Sequence, residues 1–114
     1  MATDPGTAAH VAEQMSGAGQ IGLRKMFGEY AVYLQGKVVA LICDNRLFVK
    51  RTAGTVPLLP DPQMGPPYPG AKPHIQADIL LDDPDALAAL VLAVAHDLPG
   101  PKPKAPKKVQ IPKA

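Results

Sequence analysis

The side chains able to do chemistry in this chain are scattered. His10, His74 and His96 stand far apart, Cys43 is the single cysteine, and Asp82, Asp83 and Asp85 form an acidic cluster. His10 has no Cys, Asp or second His at a ligand offset, and His74 has no metal partner beside it, so neither histidine points to a metal centre. The aspartates surround Pro84 just ahead of an apolar run. Asp83 reads as a helix cap, Pro84 as the first helical position, and the carboxylates as charges beside the positive end of the helix dipole. Cys43 lies in an apolar strand-like run, where a reduced thiol serves as a small hydrophobe. The sequence holds no Ser-His-Asp or Cys-His set at recognisable spacing, no glycine-rich phosphate loop and no paired-cysteine zinc motif. Catalytic residues, a metal and a cofactor are therefore not expected, and neither is an enzyme; a small-molecule binder or enzyme is the remaining alternative and would need a deep pocket with perturbed acids or histidines.

Basic residues give a stronger signal. Residues 101–114 contain Lys102, Lys104, Lys107, Lys108 and Lys113, five of the twelve Lys and Arg, and none of the ten acids. The preceding hundred residues set seven basic groups against those ten, a formal charge of −3. Four prolines and few apolar side chains cannot bury a core, so 101–114 is expected to be a disordered, extended tail after a single domain at 1–100. Five lysines meeting five phosphates would bind nucleic acid without sequence preference, with a log-log salt slope of roughly −4 to −5. Arg24, Lys25, Lys50 and Arg51 would add to this if the strand ends cluster. A solubilising tail is the plainer alternative. Nothing resembles a recognition helix or an aromatic stacking platform, so sequence-specific DNA reading is not expected.

The elements that must position these residues centre on Met26–Lys50. Glu29–Leu34 alternates at the two-residue period of a strand. Gln35-Gly36 then suits a primed hairpin turn. The run from Lys37 to Cys43 is too short for an ordinary helix and too β-branched to prefer one, which predicts a central strand covered on both faces. Asp44-Asn45-Arg46 supplies the next reversal, and Leu47–Lys50 the return strand. Leu23–Phe27 is expected as a first strand ended by Gly28, and Ile75–Leu80 as a further strand at the sheet edge after Pro73.

Two helices flank this sheet. Thr3-Asp4-Pro5 offers a cap ahead of Ala8, Val11, Ala12 and Met15 at helical spacing. In the last helix Leu87, Leu90, Val91, Leu92 and Val94 spread over most of the circumference. Such a helix needs more than one neighbour, so it is either sandwiched within the domain or meets another chain; in so small a domain contact with another chain, a homodimer or a second protein, is the expectation. Seven prolines between Arg51 and Pro73 preclude a long helix or central strand, leaving one short helical turn near Thr55–Leu59. Within them Pro66-Pro67-Tyr68-Pro69 reads either as a docking peptide for an aromatic groove or, more plainly, as a loop packing Tyr68 onto the sheet. The fold class is α+β, an antiparallel sheet of four or five strands with N-terminal and C-terminal helices packed on it.

The segment RKMFGEYAVYLQGKVVALICDNRLFVK, from Arg24 to Lys50, resembles the N-terminal domain of the TfoX/Sxy family, bacterial regulators linked to natural competence. The matching features are Met26-Phe27-Gly28, Tyr33-Leu34 before Gly36-Lys37, the apolar strand through Ala40, Asp44, and Leu47-Phe48-Val49-Lys50. The resemblance extends over residues 10 to 98, and no helix-hairpin-helix-like domain is expected after it. It implies a regulatory domain working through protein-protein contacts in transcriptional control. A single cysteine and the lack of a secretory pattern or of a run long enough to span a bilayer predict a cytoplasmic protein with no membrane partner.

Overall fold

The computed structural model describes residues 3–98. Helix α1 spans Pro5–Met15, followed by strands β1 (Ile21–Met26), β2 (Glu29–Leu34), β3 (Lys37–Cys43) and β4 (Arg46–Val49). Two short strands, β5 (Met64–Gly65) and β6 (His74–Gln76), precede helix α2 (Pro84–Asp97). All pairings are antiparallel, in the order β1-β2-β3-β4-β6-β5. The tail at 101–114 and its five lysines lie outside the described residues.

The first four strands form a meander closed by three two-residue turns. Each turn has positive φ at both central residues: Phe27 and Gly28 at 52° and 82°, Gln35 and Gly36 at 56° and 75°, Asp44 and Asn45 at 53° and 60°. This is the signature of type I′ turns, whose twist matches that of the flanking strands. Gly28 is thus the second turn residue, and β1 stops at Met26.

Register sorts the side chains into two faces. Val32, Ala40, Val49 and Ile75 stand opposite one another across four strands, with Ile42 opposite Leu47 in the adjacent row. Ala8, Val11 and Met15 of α1 and Leu87, Leu90, Val91 and Val94 of α2 join them in one buried core. Both helices therefore cover the same face. A register shift between Val32 and Tyr33 leaves Val39 as an extra residue on β3. Val39 and Ala40 are both fully buried, and a bulge is how two successive residues escape alternation.

The sheet has six strands where four or five were expected. Met64 and Gly65 retain their backbone N–H groups between Pro62 and Pro66, and Met64 pairs with Ile75. β6 is accordingly an inner strand and β5 holds the edge. The alternation beyond Gln76 does not continue as strand. Asp78–Asp82 turns into a 3-10 helix, and Asp78 accepts the Leu47 N–H at 2.8 Å, completing the ladder of β4 from the side.

The apolar circumference of α2 is satisfied within the domain. Leu87, Leu90, Val91 and Val94 are at most 1% exposed, and only Leu92 of the expected interface residues reaches solvent, at 39%. The 3-10 turns at Ser16–Ala18, Ala53–Thr55 and Asp78–Asp82 surround the helix together with α1, β2 and β3. These short irregular segments, rather than another chain, supply the additional neighbours that the apolar circumference of Leu87, Leu90, Val91 and Val94 requires. Asp83 caps the first turn through the Ala86 N–H at 3.2 Å. At the other end Lys37 Nζ donates to the Ala95 carbonyl at 2.7 Å, and Asp97 accepts from Thr52 Oγ1 at 2.7 Å and the Gly54 N–H at 2.6 Å. The cap expected from Asp4 is not made by its side chain; its backbone N–H instead meets Asn45 Oδ1 at 2.8 Å.

Candidate functional site

The face turned away from the helices carries Ala31, Leu41 and Phe48 in one row and Cys43 with Arg46 in another. No helix covers it. The proline-rich segment crosses it instead, and a groove of about 790 Å³ opens between that segment, the sheet and the β1–β2 turn. Pro67 is buried against this surface while Tyr68 is 56% exposed, so the proline rather than the tyrosine is the packed residue. The rigid, compact proline ring fits beneath the loop, and the tyrosine is left on the groove rim. A second concavity of about 410 Å³ lies beside Gly19 and Gln35, with Gly22, Gly36, Ile21 and Tyr33 among its lining residues.

Phe27 dominates the rim. Its side chain is fully exposed, at 101% of the reference, and its φ is 52°. Left-handed backbone costs an L-residue roughly 1–2 kcal/mol, and Asn, Asp or Gly is the usual occupant of this turn position. A bulky aromatic here satisfies neither turn chemistry nor burial. Gln35 holds the same conformation with a polar side chain, so the large exposed aromatic is what makes Phe27 a candidate contact residue. The sequence carried the signal, since Phe-Gly is an unfavourable pair for a two-residue hairpin, but the reversal at Phe27-Gly28 has first to be recognised.

Charge is distributed unevenly along the groove. Glu29 Oε1 accepts from Thr3 Oγ1 at 2.7 Å and from the Asp44 N–H at 3.1 Å, which fixes its carboxylate beside the β3–β4 turn. Arg46 stands 3.6 Å from Asp78 and is offset by it. Glu29 and Asp44 thus leave one end of an otherwise apolar groove acidic. Their effect reaches Cys43: burial first, then Glu29 and Asp44, push its thiol up to about 11. It stays protonated at neutral pH and forms part of the groove wall.

The sequence pattern of the TfoX N-terminal domain matches residues 13–96. The chain belongs to that family. The match takes in the whole meander, the proline-rich crossing and nearly all of α2, so every described wall of the groove is part of the TfoX domain. An uncharacterized 12.7 kDa protein in the trpE 5′ region of Spirochaeta aurantia is 39% identical over 107 residues, covering 94% of this chain and 93% of that protein.

In this TfoX domain the basic residues singled out from the sequence are not brought together. Arg24 and Lys25 lie on edge strand β1, whereas Lys50 and Arg51 follow β4, three strand spacings of about 4.8 Å away. β2 and β3 intervene, so these four do not form one patch. Among the described residues no group of three His, Cys, Asp or Glu side chains is placed to hold a metal ion, and no helix is long and apolar enough to cross a membrane.

Proposed function

We propose that this chain is a non-catalytic regulatory domain of the TfoX kind, acting in competence-linked transcriptional control by docking a protein segment in its outer-face groove. The observation that carries the reading is Phe27, exposed and strained at the rim of an apolar trough. Within residues 3–98 that arrangement adds nothing to stability, whereas a segment that covers the ring recovers burial worth roughly 1.5–3 kcal/mol. The inert thiol and the capped or paired acids support a binding role over catalysis. Transcript profiling of cells lacking the chain, with and without its restoration, tests the proposal. A defined set of transcripts should change and return; an unchanged profile under competence-inducing conditions would refute regulation.

A second reading rests on charge. The five lysines within 101–114 suit a polyanion, and the domain would then be held near nucleic acid by a sequence-independent anchor. Its mark is duplex binding that needs residues 101–114 and falls steeply with salt.

A further inference from the structure

The groove on the outer face is selective in what it can hold. Its floor and rim offer Leu41, Phe48, Phe27 and Pro67, while Glu29 and Asp44 make one end negative and Arg46 is offset by Asp78. An occupant suited to it carries apolar anchors with cations beside them and no acid. Residues 101–114 of this chain have that make-up, with Val109, Ile111 and Pro112 flanked by Lys107, Lys108 and Lys113.

We propose that the groove is the docking site of the chain's own C-terminal segment, with Val109 and Ile111 seated beside Phe27 and the neighbouring lysines facing Glu29 and Asp44. The inference rests on reading the groove as a protein-docking surface and names its occupant. Val109 and Ile111 are two residues apart, so in an extended segment both point to the same side. Apolar burial supplies the affinity, and the lysine-carboxylate attraction sets the direction in which the segment lies.

Distance permits docking within one molecule. Asp97 is tied to Thr52 and Gly54, and Ala95 to Lys37, so α2 ends near the start of β3, while the groove lies at its Cys43 end. Six residue steps of about 3.4 Å give roughly 20 Å along the sheet, and passing to the other face adds about 10 Å. Residues 99–108, taken at about 3.3 Å each, span roughly 33 Å and bring Val109 to the groove. Tethering raises the local concentration of the segment to the millimolar range, so a weak contact suffices for occupancy.

Amide NMR spectra of the full chain test this directly. Wild type is compared with a Val109→Ser/Ile111→Ser double variant, which leaves residues 3–98 unchanged, and with Phe27→Asn. The resonances of Phe27, Gly28, Asp44 and Asn45 should shift in the double variant, and the Ile111 amide should shift in Phe27→Asn, with neither change depending on protein concentration. Added salt should reduce the difference between wild type and the double variant. Groove resonances that superpose in wild type and the double variant would overturn the proposal. Shifts that fade on dilution together with a doubled mass would also overturn it, giving the groove to a second copy. Either failure leaves the transcript test of the regulatory reading standing, so the two can fail separately.

Discussion

The two faces of one sheet are treated in opposite ways. On the helix side, Val32, Val49 and Ile75 are completely buried beneath α1 and α2, and the carbonyls and N–H groups at the ends of α2 are tied down by Lys37 and Asp83. On the other side a single buried proline does the covering, Leu41 is half-buried, and Phe27 and Tyr68 stand at the rim. Isolated exposed apolar residues are ordinary on protein surfaces. A strained aromatic next to a contiguous apolar trough is not, and the contrast separates the face that makes the fold from the face available for contact.

Truncation gives the largest expected effect. Leu90→Ala on the helix face should cost about 2–5 kcal/mol in urea denaturation, because the packed layers cannot close the cavity. Leu41→Ala on the outer face should cost about 1 kcal/mol, since its side chain is only partly withdrawn from water. Equal losses would erase the distinction between the faces.

Relief of strain comes next. Phe27→Asn, made in a chain that also carries Val109→Ser/Ile111→Ser so that no docked segment covers position 27, places a residue tolerant of the left-handed region ahead of Gly28 and should raise stability over that double variant by about 1 kcal/mol in the same assay. A loss of stability would mean that the ring makes contacts within residues 3–98 that its exposure denies.

The smallest effect is a pH dependence on the helix side. Asp97 is held below the ordinary carboxylate value, first by the Thr52 hydroxyl and then by the Gly54 N–H. Its stabilisation is therefore present above the unfolded carboxylate value of about 3.9 and is lost as pH falls through the lower folded value. Melting temperatures of wild type and Asp97→Asn should differ near neutral pH and converge in acid. A gap that widens in acid would contradict the assignment.

Local chemistry made much of this fold legible in the sequence. The β2–β3 hairpin follows from alternation and Gly36, the β3–β4 turn from Asp44-Asn45, and the start of α2 from Asp83-Pro84, each decided by residues that are neighbours in the chain. What escaped depends on residues far apart. β5 is two residues long and exists because β6 lies beside it, which no periodicity can announce. The wide apolar surface of α2 looked like an interface because the 3-10 turns that bury it carry no apolar repeat of their own. Family resemblance over the meander identified the domain, yet it did not single out the groove. Phe27 had to be placed in a turn, and Pro67 beneath a loop, before the groove could be seen.

The most direct measurement is complementation by Phe27→Asn at matched protein abundance, read as the transcript profile of cells lacking the native chain. The expected result is a folded variant, present at wild-type abundance, that fails to restore the profile, which would separate the contact role of the ring from folding. Full restoration by the variant would contradict the assignment of the outer face as the functional surface.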